Sequence, residues 1–162
     1  MKVIRKQANS HNCIVCGLDN PNGVKARFYE MEDGTVVSLF EFNEMLQSYP
    51  ERTHGGLITA MIDEIIGRAI WIKEPDTWGV TMKIEVEFHK PVPYGVPLKG
   101  IGRLTSITHL TFEGTGEILD MNGKMLARGK ATYFKLPLEK IASVSHTGDI
   151  NVMVKDDVKD IA

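Results

Sequence analysis

Two adjacent glycines, Gly55 and Gly56, follow His54 and open an apolar run from Leu57 to Ile72. Within that run only Asp63, Glu64 and Arg68 carry charge. A run of about 16 residues is too long for an ordinary strand and suits a helix. The spacing predicts a helix that begins near Gly55 and ends near Lys73, where Pro75 stops it. Because the run is apolar nearly all round, the helix is expected to be buried, with the other elements wrapped around it. It is short of a comfortable membrane span, and its charges fall mid-run.

The rest of the chain supplies strands for that wrapping. Asp33-Gly34 sits between two apolar arms and predicts a hairpin over residues 25–42. Residues 43–53 read as a polar loop. At 79–90, Met82, Ile84, Val86 and Phe88 alternate with Lys83, Glu85, Glu87 and His89, the period of a strand, and Pro91 and Pro93 end it. Further strands are expected at 97–108, 111–120 and 124–136, the last two joined by a tight turn at Met121-Asn122-Gly123. Four or more antiparallel strands around one long helix make an α+β domain.

That domain is expected at 25–136, preceded by a mostly loop-like segment at 1–24. A tail at 137–162 is expected to start with a short helix at Leu138 and to become polar and mobile. The chain of 162 residues suffices for one domain with a real core. A net charge of −2, with no block of five or more basic residues, argues against general nucleic-acid binding. The N-terminus Met-Lys-Val-Ile-Arg-Lys has no apolar stretch of signal-peptide type, so a cytoplasmic protein without membrane attachment is expected.

Cys13 and Cys16 form a single CxxC pair. Such a pair is half of a zinc site or a redox couple. No second CxxC is present, and His11 is spaced too tightly to serve as an ordinary fourth ligand. The expectation is reduced cysteines packed in the N-terminal segment, with no metal and no cofactor.

Asp63 is the carboxylate to explain. Glu64 has Arg68 four residues on, the spacing of a helix-surface ion pair. Asp63 has only Thr59 and Gly67 at that spacing, so no cation lies one turn away. Its face carries Gly56, Thr59 or Ala60, and Gly67, small residues that let a second backbone approach. An unpartnered carboxylate in such a helix is a functional candidate.

The segment His54-Gly55-Gly56-Leu-Ile-Thr-Ala-Met-Ile-Asp63 resembles the helix motif of hot-dog-fold acyl-CoA thioesterases of the PaaI type, in which an HGG turn precedes a catalytic acid nine residues after the His. Gln47-Ser48-Tyr49-Pro50 is similar to the loop before HGG in that family, and Val80-Thr81-Met82-Lys83 with Lys90-Pro91-Val92-Pro93 to the strand after the helix. The similarity covers roughly residues 12–136. It implies a hot-dog fold, an antiparallel sheet wrapped around one central helix. It also implies Asp63 as the acid, Thr81 as an assisting hydroxyl, a mainly structural part for His54 in the turn, and Gln47 or Ser48 near the substrate carbonyl.

Thioester hydrolysis needs a polarised carbonyl and a group that acts on its carbon. Gly55 and Gly56 open the helix, so their N–H groups are expected to be free, with the positive end of the dipole behind them. That is a natural oxyanion site. Asp63 would attack directly or activate a water. Gly55 and Asp63 are about 12 Å apart along one helix, so one thioester cannot touch both on the same chain. The expected unit is therefore a homodimer or dimer of dimers with sites shared between subunits. Alternation puts Thr81 on the polar face of its strand, so a bulge or a subunit seam is needed to bring it to the site. Lys90 is a candidate contact for CoA phosphate. Neither Gly-x-Ser-x-Gly nor HExxH is present, which disfavours a serine hydrolase or zincin. The alternative is a non-catalytic acyl-CoA binding or sensing protein on the same fold.

Overall fold

A computed structural model describes residues 1–141 and 148–162. The N-terminal segment opens with strand β1 (Val3–Lys6), followed by the predicted hairpin, β2 (Arg27–Met31) and β3 (Val36–Phe40). The hairpin turn is set by Gly34 at φ 79° and by Asp33, whose Oδ1 accepts from the Thr35 amide at 3.0 Å and from its hydroxyl at 2.7 Å. Two short strands, β4 (Gln47–Tyr49) and β5 (Arg52–Thr53), precede helix α1 (Gly55–Arg68). The chain continues through β6 (Thr77–Phe88), β7 (Leu98–Ile107), β8 (Thr111–Asp120) and β9 (Met125–Pro137), then a single helical turn, α2 (Leu138–Ile141).

Seven strands form one antiparallel sheet in the order β1-β2-β3-β7-β8-β9-β6. Helix α1 packs across β3 and β6–β9, burying Ile58, Met61, Ile62, Ile65 and Ile66. Such close seating needs a bare strip in the sheet. Gly102, Gly116 and Gly129 stand opposite one another on β7, β8 and β9. A Cβ at Gly102 would fall 2.5 Å from Ile65 O, one at Gly116 2.9 Å from Ile66 Cγ1, and one at Gly129 2.8 Å from Ile62 Cγ2. The helix lies where side chains would otherwise stand.

The structure departs from the expectations in several places. Residues 43–53, expected as a polar loop, carry the paired strands β4 and β5. Helix α1 is buried on one side only: Thr59, Ala60, Asp63 and Gly67 are half-buried and Gly56 is exposed. The α-helix stops at Arg68, and Ala69–Ile72 wind on as a 3-10 turn. Residues 1–24 are not mere loop, since β1 pairs with β2 at the sheet edge. The tail folds back. Asn9 and Val152 exchange backbone hydrogen bonds at 2.7 and 2.9 Å, the Met1 ammonium donates to Ile161 O at 2.8 Å, and Ile161 is buried. The expected helix at 138 is present as one turn, and residue 142, its last expected position, lies outside the described residues.

Candidate active site

Asp63 finds its partners off the helix. Thr81 on β6 donates its hydroxyl to Asp63, with Oγ1 2.9 Å from Oδ1 and 3.1 Å from Oδ2. Alternation alone would turn Thr81 away. The β6–β9 register shifts between Thr81 and Lys83, and this bulge re-aims the side chain. From β9, Tyr133 Oη lies 2.9 Å from Asp63 Oδ1 and 2.8 Å from the Asp63 backbone carbonyl. Burial, and then the neighbouring Asp63 charge, push the Tyr133 phenol above its usual range, so it stays a donor. Its ring stacks on Phe112 at 4.6 Å, and Gly79 leaves room for the pair, since a Cβ there would fall 2.6 Å from Phe112 Cζ. The resemblance did not mark Tyr133. Sequence spacing along α1 cannot reveal a partner supplied by a strand 70 residues away.

The other half of the predicted site gathers at the start of α1. His54 is the N-cap: its Nδ1 accepts from the Gly56 amide at 2.9 Å, and its carbonyl accepts from Leu57 and Ile58. The imidazole therefore takes up one of the two amides expected to be free. The Gly55 amide has no acceptor among the described residues. Gly55 opens onto a cleft of about 370 Å³ lined also by Ser48, Arg52, Phe88 and Lys90. Gln47 stands beside this group, where its Oε1 is 3.5 Å from Tyr94 Oη. Arg52 adds a second cation to the cleft that the sequence reading did not single out.

Asp63 does not line that cleft. Asp63 with Thr81 forms one cluster and Gly55 with Ser48 and Lys90 another, about two helical turns apart on the same chain.

The Glu64–Arg68 pair is not the surface pair that spacing suggested. Arg68 Nε meets Glu64 Oε1 at 2.8 Å while the guanidinium is buried, 4.0 Å above the Phe28 ring, and Nη1 donates to Ala8 O at 2.8 Å. Here α1 holds the N-terminal segment. Cys13 and Cys16 lie against the same stretch of helix. The Cys16 thiol hydrogen-bonds to Cys13 and holds it down at about 6, and the same bond, together with burial, pushes Cys16 up.

The family model of the thioesterase superfamily matches residues 52–127, from β5 before the HGG turn to the start of β9. That stretch of the chain is similar to the thioesterase superfamily. An uncharacterized protein of Schizosaccharomyces pombe is 27% identical over 96 residues, 59% of this chain and 55% of that protein. The chain thus spans about half the length of this curated relative. A crystal structure of a thioesterase superfamily protein superposes with a TM-score of 0.69 at 22% identity, over 76% of this chain and 63% of that one. A Bacillus halodurans protein solved with CoA gives a TM-score of 0.62 at 20% identity, over 70% and 75% of the two chains. These likenesses show the hot-dog fold of the superfamily, an antiparallel sheet with one long helix packed on it. No described helix of the chain is long and apolar enough to cross a membrane.

Proposed function

We propose that this protein is an acyl-CoA thioesterase that splits a CoA thioester into a free acid and CoA. The Gly55 amide of one subunit polarises the thioester carbonyl, and the Asp63 carboxylate of a second subunit acts on the carbonyl carbon, directly or through a water. The observation that carries this reading is the pair of hydroxyls, Thr81 and Tyr133, that holds Asp63 on the half-open face of α1. A carboxylate fixed by two donors has no rotamer search to make before reaction.

Three further features support it. The small face of α1 around Asp63 is left half-buried, as antiparallel packing of two copies requires. The Gly55 amide has no acceptor among the described residues. The cleft in front of it carries Arg52 and Lys90, cations suited to CoA phosphates, and the Bacillus halodurans fold relative was solved with CoA.

The test is release of free thiol from a panel of acyl-CoA esters by the wild-type chain and by Asp63→Asn, which keeps the size and removes the charge. Loss of roughly a hundredfold or more in turnover is expected for a base or nucleophile. Near-normal turnover in a folded Asp63→Asn protein would overturn the assignment. Binding of acyl-CoA with no turnover by the wild type would favour an acyl-CoA sensor on the same fold. A single turnover in ¹⁸O-water separates the two roles of Asp63: label enters its carboxylate only if it attacks the thioester.

A further inference from the structure

Read along the chain, Cys13 and Cys16 are half of a metal site. The fold adds a third donor. Glu64, one residue past Asp63 on α1, brings a carboxylate oxygen to the two sulfurs, and the three donor atoms lie within 4.8 Å of one another. All three residues line one cavity of about 230 Å³, with Asn9, Arg68 and Trp71 among its walls.

We propose that Cys13, Cys16 and Glu64 bind one divalent ion of zinc type, fastening the N-terminal segment to the helix that carries Asp63. Thiolate sulfur together with a carboxylate is a donor set suited to zinc, and three protein donors leave the fourth tetrahedral position to a water.

The surroundings are arranged as those of metal ligands are. The amides of Val15 and Cys16 point at Cys13 Sγ, at 3.3 and 3.4 Å, and Ser10 Oγ is 3.3 Å from Cys16 Sγ. The loop is held tightly: Gly17 N donates to Cys13 O at 2.9 Å, and a Cβ at Gly17 would fall 2.3 Å from that oxygen. Arg68 occupies Glu64 Oε1 and fixes the direction of the carboxylate. Charge balances as well. Two thiolates and a carboxylate carry three negative charges, and a divalent ion with the buried Arg68 carries three positive ones. Asn9 is 1% exposed; its Nδ2 holds Cys16 O at 2.7 Å and Ala26 O at 2.9 Å, while its Oδ1 has no donor among the described residues. It offers an acceptor to a metal-bound water at the wall of the same cavity.

Binding forms two S–metal bonds and releases to solvent whatever protons the two sulfurs still carry, with no change of oxidation state. The proposal stands apart from the thioesterase reading, because its test reads the metal and not turnover.

Reduced protein, freed of metal by a chelator, is titrated with Co²⁺ as a spectroscopic stand-in and then with Zn²⁺. One Co²⁺ per chain is expected, with sulfur-to-cobalt charge-transfer absorption in the near ultraviolet and the strong visible bands of four-coordination. Zn²⁺ should displace it and raise Tm, and a chelator should reverse the rise. Cys13→Ser and Cys16→Ser should each abolish the charge-transfer band of the pair. Glu64→Gln keeps an oxygen for Arg68, and it should keep both sulfurs on the metal while weakening binding roughly tenfold or more. X-ray absorption on the wild-type cobalt complex counts donors without any substitution: two sulfurs with oxygen donors are expected. No uptake by the reduced protein, or Glu64→Gln binding as tightly as wild type, overturns the site. So does a four-sulfur shell at one ion per two chains. A Cys13–Cys16 disulfide that forms readily in a protein whose reduced form takes no metal also overturns it, and makes the pair a redox couple.

Discussion

Tyr133 Oη lies 2.8 Å from the backbone carbonyl of Asp63 and 2.9 Å from its Oδ1. One phenolic proton thus serves two acceptors of the same residue, and it ties the main chain and side chain of Asp63 to β9. Thr81 meets the same carboxylate from β6. The two strands are neighbours in the sheet, so the carboxylate is aimed by the sheet rather than by the helix that bears it.

Tyr133→Phe should therefore loosen Asp63 without unfolding the protein. The ring keeps its stack on Phe112, and one hydrogen bond of about 1 kcal/mol is lost. We expect kcat for an acyl-CoA substrate to fall about tenfold with KM nearly unchanged, because the Asp63 rotamer matters at the reacting carbon more than for holding CoA. Steady-state kinetics with a melt on the same sample decides it. An unchanged kcat, or a loss carried wholly by KM, would remove Tyr133 from the positioning of Asp63.

The glycine row under α1 makes a stability prediction. Gly102→Ala drives a methyl to 2.5 Å from the Ile65 carbonyl and 2.6 Å from its Cγ2, and a backbone oxygen cannot rotate aside. Overpacking of this kind costs about 1–3 kcal/mol. Thermal unfolding should drop by several degrees, about 2–4 °C for each kcal/mol in a chain of this size. A melt within one degree of wild type would mean that the helix lifts from the sheet at no cost.

Much of the fold was legible because its signals are local. The hairpin at Asp33-Gly34, the alternation from Met82 to Phe88 and the length of the apolar run each depend on neighbours a few residues away. What escaped depends on distant pairs. The role of Gly102, Gly116 and Gly129 exists only once three strands align. Tyr133 reaches Asp63 across 70 positions, and Glu64 joins Cys13 and Cys16 only when α1 lies beside the N-terminal loop. The tail carried a signal that its polarity hid. Val152, Val154, Asp156 and Val158 are half-buried and alternate with exposed neighbours, the period of an extended segment lying on a surface.

Asp156 makes that tail sensitive to acid. Burial alone would raise its carboxyl, but hydrogen bonds from Lys6 and from Tyr29, the latter at 2.9 Å, outweigh burial and hold it below the usual carboxylate range. A carboxyl whose folded pKa is depressed stabilises the folded state above its unfolded pKa, about 3.9 for Asp, and loses that contribution as pH falls through the folded value. Docking of residues 151–162 should be complete at neutral pH and should weaken below about pH 4. Asp156→Asn should loosen the tail at neutral pH and flatten the response. Hydrogen exchange at Val152 and Ile161, whose amides are bonded to Asn9 O and Met1 O, reads this directly. Equal protection at pH 3 and pH 7 in the wild type would rule the mechanism out.

The proposed sharing of sites between subunits can be tested by complementation. Gly55 and Asp63 are about 12 Å apart along α1, so a thioester that uses both needs two chains. Gly55→Pro removes the one amide at the turn that lacks an acceptor among the described residues. The geometry tolerates it: His54 already has φ −64° and ψ 132°, the extended conformation that precedes proline, and Gly55 is the first helical position, where proline is favoured. A Cβ there would stand 3.5 Å from Phe88 Cζ, an ordinary contact. Homodimers of Gly55→Pro and of Asp63→Asn should each be nearly inactive. In a mixed dimer one composite site collects both lesions, and the other pairs an intact Gly55 amide with an intact Asp63. That dimer should recover up to about half of the wild-type activity. Isolated heterodimers, verified by differential tags and mass, are assayed beside both parents. Heterodimers as inactive as the parents would mean that Gly55 and Asp63 act within one chain, or that one of them takes no part in the reaction.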